Sequence, residues 1–582
     1  MTPGLPNAVA KKISELFAGK VFRVPDYQRS YAWERKNWED FWNDIREGLE
    51  TDTIHYLGTI TLKATGERIY HEESATEFEV YEVVDGQQRI TTVYLFLLAL
   101  SNLGLSALRN NFIKCGDIYR LELGNLNNQF LKALVDGKNP QPDLKTNRLL
   151  KECLEFFENQ IGQFGRLNEL SQYIQGKTYV LEFVVHDQTL AIKTFECLND
   201  RGKPLNLLDK TKSHIMFISY RYLNGELDRK INDVFGNVFT NYDIIKDIGE
   251  QEDVTYIRSY KFTEDELLRF FYHYFACYAI QKYNLREVYN YDATAIEVFE
   301  RFIKGSCHSL KNNRQDLCDF IREFLESLDR FTTAFKRIME KVKTDCKFKK
   351  LFSFLGLNTS VYPLIISLEA ENLLDRELLE LIETLDLRVY KIRGTEPKAD
   401  LYKNVISKIK IGISKQEIIS EIKRFINVFM DDDSLRHRLI NERMYKNPAT
   451  KYILWEYEKY LDPSFDDCNS QLYKTCQLEH IFPQKPTFGF PAPAYGFNSK
   501  EEYDANIHRL GNLCLLEESL QPNPNCKNRL PQYKAQNCYP LSNVPRTRNR
   551  LTAYISINGF TKDDIDKLSE EIADFCLKRW KI

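Results

Sequence analysis

The sequence predicts a multidomain α+β protein with an α/β region at the N-terminus, helices in the middle and a small strand–strand–helix unit at the C-terminus. Its 582 residues are enough for about three domains, each with a core of its own. Strand-like and helix-like segments alternate up to about residue 225, whereas helical periodicity prevails from about residue 264 to residue 461. We therefore expect domains at residues 1–225, 226–461 and 462–582.

Composition favours a folded protein of the cytoplasm. A hydrophobic content of 43% and an aromatic content of 13% exclude a disordered chain. No apolar run reaches the ~18–20 residues that span a bilayer, and the N-terminus lacks the pattern of a secretory signal. The 13 cysteines include no Cys-x-x-Cys pair, which favours reduced, mostly buried thiols over a zinc knuckle. The net charge of −3 means that any contact with nucleic acid must be local.

The N-terminal region places a polar turn between a strand and a buried helix. Strands are expected at residues 57–62 and 79–84, and a buried helix at residues 90–100. Between them lies Asp85-Gly86-Gln87-Gln88-Arg89. Free N–H groups at a helix N-terminus favour phosphate, a guanidinium can chelate it, and the two glutamines can bond a base or ribose. The alternative is a polar cap on a core helix, with Asp85 as the capping residue.

A further polar segment follows a strand expected at residues 178–185 and a helix at 189–198. Gly202 suits the left-handed end of a helix, and capping of the next helix accounts for Asn206 and Asp209. Capping does not account for Arg201 and Lys212, so the segment is a candidate second part of the site. Beyond it, residues 225–259 are polar and mixed, and we expect a linker or loop there before the helices of the middle region.

The C-terminal unit carries Glu479-His480 and, further on, Gly511-Asn512-Leu513. Residues 472–478 and 512–516 are expected to form two strands, and the polar segment 523–535 a helix. Hydrolysis of a phosphodiester needs a base that activates water and a cation that holds developing charge. We expect His480 to be the base, because a neutral imidazole suits that task near pH 7. The expected ligands of Mg²⁺ or Mn²⁺ are Glu479 with Asn523 or Asn528.

The order of these residues favours a nuclease over a chance dipeptide. Glu-His alone would mean little, but Pro483, Gln484 and the Gly-Asn-Leu triplet follow in order. Asn512 is expected in the catalytic unit with His480, where it ties the hairpin to the helix through side-chain to backbone hydrogen bonds. Nearby basic residues favour contact with DNA phosphates, although a solvated charged surface is the common alternative. These are Lys527, Arg529 and Lys534, followed by Arg546, Arg548 and Arg550.

Both ends of the chain resemble one family. The C-terminal motifs resemble the HNH domain, a ββα-metal nuclease fold, of GmrSD-type restriction endonucleases, which are modification-dependent type IV enzymes. In that family an Asn usually follows the Leu after the second strand, whereas here Leu520 is followed by Gln521. The N-terminal motifs at residues 25–33, 85–91 and 195–205 are similar to the GmrS-type, ParB/sulfiredoxin-like α/β domain. No Gly-x-x-x-x-Gly-Lys-Ser/Thr loop is present, so an NTPase of this chain would not be a P-loop enzyme.

The resemblance implies an NTP-responsive nuclease that cuts double-stranded, modified phage DNA in anti-phage defence, with Mg²⁺ or Mn²⁺ at the HNH site. NTP hydrolysis and a homodimer are left open. The alternative is a ParB-like regulatory sensor of nucleotide or DNA, whose HNH fold clamps DNA without cutting. The implied nucleotide-binding residues are Tyr27, Gln28, Arg29, Asp85, Gly86, Gln87, Gln88 and Arg89. The supporting residues of that sensor site are Asn199, Arg201, Gly202, Asp209 and Lys212.

Overall fold

The computed structural model describes residues 8–25, 28, 30–72, 74–185, 206–486, 495–520, 526 and 528–582, without the side chains of residues 125 and 126. The chain is mainly helical, with a mixed sheet near the N-terminus and a two-stranded hairpin near the C-terminus. Among the described helices, none has the length and apolar character needed to cross a membrane.

The strands are β1 (Ala8–Lys12), β2 (Lys20–Arg23), β3 (His55–His71), β4 (Thr76–Asp85), β5 (Lys114–Cys115), β6 (Ile118–Tyr119), β7 (Leu121–Glu122), β8 (Thr178–Val185), β9 (Cys476–His480) and β10 (Leu513–Glu517).

The N-terminal helices are α1 (Ile13–Phe17), α2 (Arg35–Thr51), α3 (Gln87–Asn102), α4 (Asn125–Val135), α5 (Lys145–Phe164) and α6 (Leu167–Gly176). The helices of the middle region are α7 (Leu207–Leu223), α8 (Asp228–Gln251), α9 (Thr255–Arg258), α10 (Glu264–Lys282), α11 (Ala295–Glu297), α12 (Lys304–Leu310), α13 (Arg314–Thr344), α14 (Cys346–Lys349), α15 (Tyr362–Ala370), α16 (Arg376–Leu385), α17 (Ala399–Leu401), α18 (Ser407–Ile409), α19 (Lys415–Phe429), α20 (Asp432–Asn441) and α21 (Thr450–Leu461). The C-terminal helices are α22 (Ser470–Thr475), α23 (Lys500–Asn506), α24 (Pro531–Asn537), α25 (Thr552–Asn558) and α26 (Lys562–Arg579).

The N-terminal sheet has the strand order β1-β8-β3-β4-β2-β7 and mixes parallel and antiparallel pairs. Its strand β4 leads through Gly86 into α3, which is buried from Ile90 to Ser101. Gly86 has a φ of 90°, and a Cβ there would lie 2.9 Å from Ile60 Cγ1, so this turn requires glycine. The strand, the turn and the buried helix expected from the sequence are confirmed.

The middle region is helical, as its periodicity predicts, but it begins earlier than expected. Residues 228–251, which we expected to be a linker or loop, form the 24-residue helix α8. Its buried face includes Ile231, Phe235, Val238 and Ile245, which recur at helical spacing. The polar residues between them obscured this stripe, so the expectation of a loop was wrong.

The C-terminal hairpin lies between two hydrophobic cores. Leu513 and Leu515 of β10 belong to the large core that runs from the middle region into the C-terminal unit. Cys514 and Leu516 point to the opposite face and belong to a smaller core made by the C-terminal unit alone. Because side chains alternate along a strand, five consecutive buried residues need a core on each side.

Two details of this unit differ from expectation. Residues 470–475 form helix α22, and the strand begins only at Cys476. The helix after the hairpin is the short α24, which begins with Pro531 at its first turn, while residues 521–525 and 527 lie outside the described residues. Asn469 caps α22 by accepting from Leu472 N, which explains why a segment with strand-like residues turns into a helix.

The oxidation state of the cysteines differs in part from the expectation. Disulfides join Cys346 to Cys468 and Cys526 to Cys538, with Cα–Cα distances of 5.6 Å and 6.0 Å. The expectation of reduced thiols is wrong for these four residues. The other described cysteines are free, and all but Cys277 are buried.

Candidate functional site

The hairpin places Glu479 and His480 at the end of β9. In the antiparallel pair, His480 lies opposite Leu513 and Glu479 lies opposite Cys514. Neighbouring side chains of a strand point to opposite faces, so the imidazole and the carboxylate have different surroundings. The carboxylate faces α24, whereas the imidazole faces the segment between α20 and α21.

His480 is a buried imidazole with another histidine as its neighbour. It is 6% exposed, and its Nε2 lies 3.1 Å from His508 Nδ1 and 3.3 Å from the side-chain amide of Gln484. The ring centroid of Tyr445 lies 4.2 Å from that of His480. Burial, together with the positive charge that His508 and Lys534 can carry, lowers the pKa of His480 to about 3. The imidazole is therefore neutral near pH 7, as a base must be, and so low a pKa makes it a weaker proton acceptor than an ordinary histidine.

Glu479 is held by a buried lysine. Lys534 Nζ donates to Glu479 Oε1 and to the His480 carbonyl, both at 2.5 Å, and the lysine side chain is 1% exposed. Contact between Lys534 and a DNA phosphate, as the sequence suggested, does not agree with this burial. The lysine instead joins α24 to the end of β9.

Asn512 is fully buried and bonds only to backbone in the described structure. Its Oδ1 accepts from Phe482 N at 2.8 Å, and its Nδ2 donates to Phe482 O and Ile507 O at 3.0 Å and 2.7 Å. The neighbouring Gly511 allows α26 to pack closely, because a Cβ there would lie 2.0 Å from Ile565 O. Gly511 and Asn512 therefore fix the chain on both sides of the hairpin rather than reaching a substrate.

The described donors suit a cation that keeps much of its water. One oxygen of Glu479 is bonded to Lys534, which leaves the other carboxylate oxygen for a metal. Asn523 lies outside the described residues, and Asn528 adopts a left-handed conformation with a φ of 68°. Among described residues, the group of His, Cys, Asp and Glu side chains that lie close together is Cys346, Asp467 and Cys468, but the disulfide between the two cysteines removes their thiolates as metal ligands. Mg²⁺ bound through one or two protein oxygens, waters and substrate phosphate fits such a donor set.

The basic residues expected to contact DNA have different surroundings. Lys527 lies outside the described residues, and the guanidinium of Arg529 stacks over the Tyr533 ring at 5.2 Å. Arg546 is 3% exposed and donates to Leu513 O, so it is structural. The sequence missed Arg443 and Lys446, which flank Tyr445, are exposed and lower the pKa of His508 together with its burial.

A second candidate site is a cleft of about 770 Å³ between the N-terminal region and α8. Its walls are rich in side-chain amides, and they also carry the carboxyl of Asp243. Burial raises the pKa of Asp243 to about 7, and Glu264 and Asp247 add to this effect. The amides are Gln28, Gln87, Gln88, Asn127, Asn128, Asn232 and Asn237.

Two helices begin at this cleft. Gly86 and Gly124 are the N-caps of α3 and α4, neither helix has a side-chain cap, and both N-termini contribute residues to the walls. Asn127 is 9% exposed, and its buried Oδ1 has no hydrogen-bond partner among the described residues. Free N–H groups at converging helix N-termini favour an anion, and a buried amide without a partner favours a ligand that completes its hydrogen bonds.

The residues of the polar turn at 85–89 do not all face the cleft. Gln87 and Gln88 line the cleft, and Gln88 also binds the backbone of residues 30 and 32. Arg89 is not among the residues that line it, and its Nη1 donates to Thr59 O of β3 at 2.9 Å. Burial raises the pKa of Asp85, and the nearby Arg89 opposes that shift.

The other expected sensor residues are only partly visible. Tyr27, Arg29, Asn199, Arg201 and Gly202 lie outside the described residues. Asp209 follows the Asn206 cap of α7, which accepts from Asp209 N at 2.7 Å. Burial lowers the pKa of Lys212, and the nearby carboxylates of Asp209 and Glu82 oppose this shift. Neither Asp209 nor Lys212 is among the described residues that line the cleft.

Comparisons with known proteins agree with these two regions. The family model described as GmrSD restriction endonuclease, N-terminal domain, matches residues 12–216. The model described as GmrSD restriction endonucleases, C-terminal domain, matches residues 429–575. The second match begins within α19, so it includes the segment that covers His480. Comparison of the sequence with curated proteins gives no match.

Proposed function

Since this chain belongs to the GmrSD restriction endonuclease family, we propose that it is an HNH endonuclease that needs a divalent metal and responds to a nucleotide. Its substrate is double-stranded DNA of modified or foreign origin, such as phage DNA. The observation that carries this proposal is the buried His480 at the end of a hairpin, next in the chain to Glu479, whose carboxylate points to the other face of the strand. That pairing supplies a base and a metal ligand within two consecutive residues.

The proposed chemistry assigns one task to each residue. His480 accepts the proton of the attacking water while the oxygen bonds to phosphorus and the bond to the leaving oxygen breaks. Glu479 and an asparagine would hold Mg²⁺ or Mn²⁺, which would supply positive charge for the phosphate and the leaving oxygen. Lys534 orients Glu479 and fixes the strand end through the His480 carbonyl.

The test of the nuclease is cleavage by a His480→Ala variant. Phage DNA with and without modified bases is digested with Mg²⁺ or Mn²⁺ and each NTP. We expect the variant to lose on the order of 10²–10⁴ in rate, because it lacks the base. His308→Ala, which removes an exposed histidine of α12, is the matched control and should cut at the wild-type rate. Full activity of a folded His480→Ala variant would reject this site, and binding without cutting by the wild type would support the DNA clamp.

The amide-rich cleft supports a nucleotide site in the N-terminal region. Its two helix N-termini suit phosphate, and its amides suit a base or ribose. Arg23, the arginine in its walls, is paired with Glu67 and Glu122, so phosphate would depend on backbone N–H groups. Gln87 lines the cleft, and no described residue hydrogen-bonds its side-chain amide, which suits it to bind a ligand.

Helix α8 connects this cleft to the C-terminal unit. Its first turns line the cleft, and its 24 residues extend over ~36 Å at the rise of an α-helix. Just beyond its end, Glu252 O accepts from Ser353 Oγ at 2.7 Å, and Asp253 pairs with Lys474 at 3.3 Å. Lys474 belongs to α22, which leads directly into β9 and His480. A rigid helix between the two sites supports a cutting activity that responds to nucleotide.

The connection is tested by Asp253→Asn. Nucleotide binding, measured with labelled NTP, should equal that of the wild type, because the change lies outside the cleft. The stimulation of cleavage by NTP should fall, because the contact with α22 is weakened. Asp40→Asn, which changes an exposed carboxylate of α2 outside the cleft, is the matched control and should keep both nucleotide binding and stimulation. Equal stimulation of the Asp253→Asn variant and the wild type would reject α8 as the connection.

A further inference from the structure

The segment between α20 and α21 covers the imidazole of His480. Tyr445 of this segment places its ring centroid 4.2 Å from that of His480 and 5.6 Å from that of His508. The planes of the Tyr445 and His508 rings differ by 25°, so these two rings are stacked. A residue 35 positions before His480, in a region that the sequence assigns to helices, thus forms one wall of the candidate site.

This wall is fixed by backbone hydrogen bonds on both sides. Met444 N and Tyr445 N donate to His508 O at 2.8 Å and 3.2 Å. Thr450 Oγ1 donates to Met444 O at 2.6 Å, and Asn447 Nδ2 donates to Lys391 O and to the next carbonyl at 3.2 Å. These bonds hold the main chain at Tyr445 between the helical region and the segment that carries His508, which places the ring against His480.

The contact between the two histidines selects one nitrogen of His480. Its Nε2 lies 3.1 Å from His508 Nδ1, whereas Nδ1 of His480 has no hydrogen bond among the described residues. Burial and the nearby Arg443 and Lys446 lower the pKa of His508, so His508 is neutral near pH 7 and its Nδ1 can accept. Gln484 presents its amide nitrogen to His480 Nε2 at 3.3 Å, and a 180° turn of the amide would place its oxygen there as a second acceptor of Nε2–H.

We propose that His508 and Tyr445 are positioning residues that hold His480 with Nε2–H donated to His508 Nδ1, so that Nδ1 of His480 is the atom that takes the proton from water. This inference rests on the proposed nuclease function. The hairpin fixes only the Cα–Cβ direction of His480, and the imidazole can still rotate about its terminal torsion. His508 stops that rotation by a hydrogen bond, and Tyr445 stops it by covering a ring face. A base whose second nitrogen is bonded keeps one tautomer, which is how an orienting partner acts on histidine.

The test compares variants that keep or remove the acceptor. His508→Asn places an amide oxygen near the position of Nδ1, whereas His508→Leu has similar bulk and no acceptor. We expect His508→Leu to lower kcat for DNA cleavage by ~10–100-fold with little change in KM, and His508→Asn to recover most of that loss. Tyr445→Phe should keep kcat within a few-fold of the wild type, and Tyr445→Ala should lower it, since the ring and not the hydroxyl makes the contact.

A spectroscopic measurement separates positioning from a structural role. The measurement is the nitrogen chemical shifts of protein labelled with ¹⁵N-histidine, in which the His480 signals are assigned by their absence from His480→Ala. In the wild type, His480 should be protonated at Nε2. In His508→Leu, it should be a mixture of the two tautomers. If His508→Leu does not fold, the Tyr445 pair decides in its place. Wild-type kcat in both His508→Leu and Tyr445→Ala, or a His480 protonated at Nδ1, would overturn the inference. If the His480→Ala variant still cuts DNA, the proposed nuclease site is rejected. If His480→Ala is inactive but His508→Leu cuts like the wild type, only the positioning role is rejected.

Discussion

Replacing Lys534 by methionine should destabilise the C-terminal unit, because a buried cation holds two of its elements together. The ammonium group donates to the Glu479 carboxylate and to the His480 carbonyl, each at 2.5 Å. Methionine keeps most of the apolar stem but leaves a carboxylate of 15% exposure and a buried carbonyl without their donor. Breaking a buried pair costs ~3–5 kcal/mol, and the partial exposure of Glu479 places the expected loss near the lower figure.

The assay is calorimetric melting of the full chain. A loss of ~3 kcal/mol corresponds to a fall of ~12 °C in the transition of the C-terminal unit, residues 462–582, at the usual entropy of ~2.1 cal/mol/K per residue. Lys567→Met, at a lysine of 68% exposure, is the control and should change stability by less than about 0.5 kcal/mol. Glu479→Gln combined with Lys534→Met should cost less than the sum of the single changes, because no charge is then left unpaired. A Lys534→Met melt within about 2 °C of the wild type, or strict additivity, would refute the structural pairing.

Further predictions concern the metal, the nucleotide and pH. Glu479→Ala should raise the Mg²⁺ or Mn²⁺ concentration needed for half-maximal cleavage, and Asn528→Ala should do the same; an unchanged requirement in Asn528→Ala would move the ligand to a neighbouring asparagine. Gln87→Ala should weaken the binding of labelled nucleotide more than Arg89→Ala does, because Gln87 lines the cleft and Arg89 does not. A larger effect of Arg89→Ala would place the phosphate beside β3. Burial raises the pKa of Glu458 to about 7 from an ordinary value of 4.5, so the folded state binds the extra proton and stability should fall as pH rises from about 5 to about 8. Glu458→Gln should flatten that fall in melting temperature, and an unchanged slope would show that Glu458 ionises normally when folded.

Local motifs predicted the elements whose signals are local. The strand, the Gly86 turn and the buried helix α3 follow from an apolar run beside a polar, glycine-containing segment. The pair Glu479-His480 could also be identified from the sequence as a candidate site, because the expected base and metal ligand are adjacent in it. By contrast, helix α8 carries its apolar stripe among many polar residues, and composition alone suggested a loop. A count of apolar positions at spacings of three and four would have found it.

Contacts between residues far apart in the sequence could not be predicted from local motifs. A basic residue next to a nuclease motif looks the same whether it faces DNA or fills a buried pair, and only packing against β9 shows that Lys534 does the latter. The contact between Tyr445 and His480 depends on how α20 and α21 pack against the hairpin. The local sequence around each residue gives no signal that predicts this contact. The same applies to the cleft, since its far wall comes from α8, about 150 residues after the polar turn.

The middle region is therefore a part of both candidate sites and not a spacer between them. Helix α8 closes the N-terminal cleft, and the segment after α20 supplies the wall over His480. The large core that contains these helices also takes Leu513 and Leu515 from the hairpin strand β10. Interiors packed this closely do not deform continuously, so a shift of α8 on ligand binding has to be met by its neighbours in the same core. A variant that cuts DNA without nucleotide should accordingly arise from changes inside this shared core, and activation by changes confined to the exposed surface of the middle region would contradict that expectation.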